Sequence, residues 1–86
     1  MQPFSRRSVI DLREWGLEDR ATTIAFLCDL MRLVVKDAPQ CSFDFRILTD
    51  TIAEVSFTDH EPQEHHPFSE ATVSAIVSWG ARELIG

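Results

Sequence analysis

At 86 residues and 9.8 kDa the chain is long enough for one domain and too short for two. With 44% hydrophobic residues, 26% charged residues and only three glycines it has the composition of a globular protein, which excludes a largely disordered or low-complexity chain. Eight basic and 14 acidic side chains give a formal charge of −6, against the basic face that bulk nucleic-acid binding requires. The charge is uneven. Residues 1–13 carry Arg6, Arg7 and Arg13 against Asp11, whereas residues 37–86 carry nine acids against Arg46 and Arg82. No apolar run reaches the ~18 residues of a membrane span. No hydrophobic leader follows the N-terminal arginines, so a soluble, cytoplasmic protein is expected. Cys28 and Cys41 have neither CxxC nor zinc-ligand spacing and read as thiols in a reducing compartment.

Residues 4–15 alternate imperfectly, with Ile10 and Leu12 on one parity and Val9 and Trp15 on the other. They read as a short strand or pair of strands, the rival being a helical turn capped by Ser8. Residues 18–37 form the clearest helix. Leu17, Ala21, Ile24, Cys28, Met31 and Val35 recur at steps of three and four, with Leu27, Leu30 and Val34 beside them, and Glu18 and Asp19 suit the positive end of its dipole. Pro39 ends it, because proline disfavours helical geometry in the residue before it. Phe26 and Leu33 fall nearly opposite that stripe and suggest a second packing partner.

A hairpin follows. Phe43, Phe45 and Ile47 alternate with Asp44 and Arg46, and Ala53, Val55 and Phe57 alternate with Glu54 and Ser56. Such strands suit an antiparallel sheet covered on one side. After a polar loop over residues 58–67, Ser69 is the expected N-cap of a last helix whose inner stripe is Val73, Ile76, Val77, Gly80 and Leu84. Trp79 lies off that stripe. The expected fold is a single α+β domain over residues 1–86: a two-layer sandwich, with two helices on one face of an antiparallel sheet of about four strands.

Arg13-Glu14-Trp15-Gly16-Leu17-Glu18-Asp19, then Ile24-Ala25-Phe26 and onward to Ala38, resembles the pterin-4a-carbinolamine dehydratases. In that family an aromatic-rich strand, an Asp and a helix bearing Ala-x-x-Phe lead to a catalytic Asn-His-His-Pro. Ile52-Ala53-Glu54-Val55-Ser56-Phe57-Thr58 is similar to the family's strand ending in Thr-His-Asp, and Phe68-Ser69-Glu70 to the Leu-Thr-Glu that opens its final helix. The resemblance covers about residues 9–82.

The departures fall on the chemistry. Carried over by position, Asn-His-His-Pro lands on Ala38-Pro39-Gln40-Cys41, so the two catalytic histidines are replaced by Pro39 and Gln40. Dehydrating a 4a-hydroxytetrahydropterin needs groups that exchange protons near neutral pH, which neither side chain does. The family's third histidine meets Thr58-Asp59-His60, with Asp and His in the opposite order, leaving His60 as the residual candidate. Glu64-His65-His66-Pro67 copies the motif's letters but follows the hairpin instead of ending the first helix. His60, His65 and His66 are also the only histidines that could hold a metal, although their spacing fits no fixed ligand set.

Short, acidic and without the histidine motif, the chain looks like the catalytically dead relatives found beside α-carboxysome genes. Those act as assembly factors for RuBisCO, the ribulose-bisphosphate carboxylase. The resemblance implies a non-catalytic chaperone without a cofactor, a homodimer, and a large-subunit or holoenzyme partner, with association to the carboxysome. Phe26, Leu33 and Trp79 are the candidate protein-binding anchors. The alternatives are a divergent dehydratase using His60 with His65 or His66, and a dimerisation cofactor of another protein.

Overall fold

A computed structural model describes residues 4–60 and 73–85. Strand β1 (Phe4–Asp11) is followed by a 3₁₀ turn (Leu12–Trp15), helix α1 (Arg20–Asp37), strands β2 (Cys41–Ile47) and β3 (Ile52–Asp59), and helix α2 (Val73–Leu84). The strands form one antiparallel sheet in the order β1-β3-β2. The expected α+β sandwich is therefore present, with three strands rather than four among the described residues.

The region read as a strand or pair of strands contains one strand and a turn, for a local reason. The Asp11 carboxylate accepts the Arg13 N–H at 3.1 Å and binds the Arg13 guanidinium at 2.6 Å, so Asp11, not Ser8, caps the turn. Gly16, at φ 82°, closes it in the left-handed conformation that glycine tolerates. The Leu12 N–H donates to Thr51 O at 2.8 Å and ties the turn to the β2–β3 connection.

Helix α1 starts where its acids suggested. The Asp19 carboxylate caps it by accepting the Thr22 N–H at 2.8 Å. Its buried face is Thr23, Phe26, Leu27, Leu30 and Val34, so the residues expected beside the main stripe are buried, together with Phe26 from the opposite side, and the stripe's own helical members are not. Ile24, Cys28 and Met31 are half-buried and Val35 is exposed. Apolar residues cover so much of this helix that periodicity alone did not say which side faces inward.

Along β3, Ala53, Val55, Phe57 and Asp59 point inward and alternate with half-exposed residues, as the hairpin pattern required. Helix α1 packs over β2 and α2 over β1 and β3. Both lie on the face that buries Phe57, Val55 and Ala53. Each large apolar side chain buried there contributes ~1.5–3 kcal/mol. In α2 the buried residues are Val73, Ile76, Val77, Gly80 and Ala81; Leu84, expected on that stripe, is 40% exposed. The expected Ser69 cap lies outside the described residues. No described helix is long and apolar enough to cross a membrane.

Candidate functional site at the junction of α1 and β2

Residues 38–40 join α1 to β2. Helix α1 stops at Ala38, whose N–H still donates to Val34 O at 2.8 Å while its own backbone, preceding Pro39, turns out of the helical region. Cys41 N–H donates back to Ala38 O at 2.9 Å, so the chain reverses tightly and enters β2 directly. Ala38 and Cys41 are buried, Gln40 is half-buried and Pro39 is exposed.

The end of β3 arrives beside this junction. Cys41 stands opposite Asp59 and Ser42 opposite Thr58 in the sheet register. His60 continues the pairing: its N–H donates to Gln40 O at 3.1 Å, and its Nε2 lies 3.0 Å from Ser42 Oγ. The structure thus brings His60, a sequence candidate, against Gln40 and the turn carrying Pro39. Sequence reasoning missed Ser42. The hairpin register contained the signal, since pairing residue 42 with residue 58 sets it beside residue 60. On the same outer face Ser5 Oγ and Thr58 Oγ1 are 3.2 Å apart, extending the row of hydroxyl groups.

The inner face here is different. Asp59 is fully buried and Cys41 is 5% exposed. Burial, with a smaller contribution from the nearby Asp59 charge, pushes the Cys41 thiol up to about 11. Such a thiol is protonated at neutral pH and is a poor nucleophile. The site therefore offers one exposed imidazole bonded to one exposed hydroxyl. Among the described residues no carboxylate is hydrogen-bonded to the imidazole, so none of them supplies the third member of a nucleophile–base–orienter set.

His65 and His66, with Glu64 and Pro67, lie outside the described residues. Among the described residues no three His, Cys, Asp or Glu side chains gather as a metal site would require. The expected protein-binding anchors divide. Phe26 is 5% exposed and belongs to the core, so it cannot present a contact surface. Leu33 is half-buried, and Trp79 is half-buried and packed against the core. Trp15, which the sequence did not single out for binding, lines a shallow apolar hollow of about 260 Å³ with Ser78, Ala81, Arg82 and Ile85.

No family model, no curated protein and no solved structure matches the chain.

Proposed function

We propose that this chain is a non-catalytic assembly factor, a chaperone for RuBisCO. It would act as a cytoplasmic homodimer beside the α-carboxysome, on a pterin dehydratase-like fold. The observation that carries this reading is the content of the α1–β2 junction. Where the dehydratases that the sequence resembles have two histidines, this chain has Pro39 and Gln40, next to a Cys41 thiol held protonated. Neither Pro39 nor Gln40 exchanges protons near neutral pH, so the pair of proton-transfer groups that a dehydration needs is not found at this junction. His60 stands beside it, while His65 and His66 lie outside the described residues. A fold stripped of its proton-transfer groups retains its surfaces, and the half-buried Leu33 and Trp79 together with the apolar hollow at Trp15 are suited to a protein client.

The test is co-expression of the carboxylase with and without this chain. The proposal expects more soluble, assembled enzyme when the chain is present, and an unchanged yield would refute it.

The contact between His60 and Ser42 favours a second reading, a divergent 4a-hydroxytetrahydrobiopterin dehydratase with His60 as its acid–base group. That reading requires turnover above the uncatalysed background and its loss in His60→Ala.

A further inference from the structure

Hydrogen bonding across the sheet decides which backbone groups of β1 are left over. The Leu12 N–H donates to Thr51 O at 2.8 Å, and with the β1–β3 register this assigns Arg6, Ser8 and Ile10 to β3. Ser5, Arg7 and Val9 therefore direct their N–H and C=O groups outward. Among the described residues no strand lies beyond them. Their side chains stand on the outer face, where Ser5 Oγ is 3.2 Å from Thr58 Oγ1 and Val9 is 60% exposed. Arg7 shares that face with two acids that are already engaged. Glu54 lies 3.6 Å from Arg46, and Asp44 accepts the Phe45 N–H at 2.9 Å. Arg7 has no ion pair of its own among the described residues.

Helix α2 overhangs this edge. Two helices packed side by side, about 8–10 Å apart, span roughly four strands at a spacing of about 4.8 Å, and the sheet has three. Helix α1 packs over β2 and α2 over β1 and β3, so the flank of α2 turned away from α1 lies on the β1 side. Gly80 meets Leu30 of α1. At about 100° per residue, Ser78, Arg82 and Ile85 fall on the opposite flank. These residues line the apolar hollow together with Trp15, which ends the turn after β1. A strand added beside β1 would run its inner side chains beneath this flank, toward the hollow.

We propose that β1 accepts an extended segment of a partner protein as a fourth, antiparallel strand, with a carboxylate opposite Arg7 and apolar side chains facing α2. The charges argue for this occupant. Residues 1–13 carry Arg6, Arg7 and Arg13 against Asp11, a basic stretch in a chain of formal charge −6. Arg13 is bound to Asp11 at 2.6 Å, whereas Arg7 stands at the open edge. A second copy set with its Arg7 against this one places guanidinium against guanidinium, which guards the edge against self-pairing. A Glu or Asp at the same place gains an opposite-charge cross-strand pair. Pairing through Ser5, Arg7 and Val9 supplies main-chain hydrogen bonds and hence affinity, while Arg7 and the hollow select the sequence. The surface reads a sequence pattern, so it stands or falls independently of the carboxylase.

The probe is a fluorescein-labelled, amidated peptide, Leu-Thr-Val-Glu-Val-Thr-Gly, titrated against the full chain by fluorescence anisotropy. With its Glu opposite Arg7, its Leu and both Val face α2. Saturable binding is expected, and with it protection of the Arg7 and Val9 amides from hydrogen exchange that the free chain lacks. Arg7→Glu in the chain, or Lys in place of the peptide's Glu, is expected to raise Kd about tenfold. Combining the two changes should return it to within about threefold of the original. Serine in place of the peptide's Leu and both Val should weaken binding about tenfold or more. N-methylation of its Glu removes the N–H aimed at Arg7 O and should abolish binding. Circular dichroism confirms that Arg7→Glu is folded, and the peptide changes carry the test if it is not. No saturable binding, or binding indifferent to the Glu and to the N-methyl group, overturns the surface. So does protection of the Arg7 and Val9 amides in the free chain, which would mean that the chain itself or a second copy already holds the edge.

Discussion

Leu30 of α1 packs against α2 at Gly80, and Gly80→Ala gives a quantitative test of that packing. A Cβ at this position would stand 2.2 Å from Leu30 Cδ1, 3.4 Å from Cγ and 3.7 Å from Cδ2. Unbonded carbons settle at about 3.5–4.0 Å, so the first contact is short by more than an ångström. Leu30 is fully buried and has no solvent to swing into. Forcing one carbon into such a site costs about 1–3 kcal/mol, whereas alanine favours a helix interior over glycine by about 1 kcal/mol. The difference leaves a net loss of about 1 kcal/mol, a fall in Tm of roughly 4–8 °C for a domain of this size. Urea and thermal unfolding followed by circular dichroism measure it. The control is the sign in a second background. Leu30→Ala alone should cost about 2–5 kcal/mol, and adding Gly80→Ala to it should recover about 1 kcal/mol, because the clash is gone and the propensity gain remains. If Gly80→Ala stabilises wild type as much as it stabilises Leu30→Ala, the helices do not meet as described.

Two further predictions concern titratable groups. Hydrogen bonds from the Thr22 hydroxyl and N–H hold the Asp19 carboxyl below its ordinary value, so its contribution is present above the unfolded pKa, about 3.9, and is lost as pH falls through the folded one. Asp19→Ala should therefore unfold earlier than wild type at pH 7, with the gap closing below about pH 4; a gap unchanged down to pH 2 would contradict the cap. For Cys41, a thiol near 11 is only about 0.1% thiolate at pH 8, against about a quarter for an ordinary thiol. Iodoacetamide should modify native Cys41 about 100-fold more slowly than the urea-unfolded chain, and equal rates would show that the side chain is not buried as described.

The hairpin was legible because each of its strands has one face in the core, so period-two alternation translates directly into burial. Helix α2 was nearly as clear, with Ala81 taking the inner place expected of Leu84. Helix α1 was not. With Phe26 and Leu33 on one flank and Ile24, Met31 and Val35 on the other, only the position of β2 and α2 decides which residues are covered. The turn after β1 was concealed because its cap, Asp11, also continues the strand's alternation. At the junction, that Pro39 and Gln40 are not histidines could be read from the residues alone. The contact between His60 and Ser42 could not, since residues 18 positions apart meet only through the hairpin register.

The central claim, that this chain assists an enzyme instead of transforming a pterin, is tested most directly by co-expressing the carboxylase large subunit with the wild-type chain, with His60→Ala, or with neither. Carboxylase activity is then measured per unit of large subunit synthesised. Equal increases with wild type and His60→Ala are predicted, because the exposed imidazole serves no chemistry in this reading. No increase with either, accompanied by dehydratase turnover that disappears in His60→Ala, would contradict it.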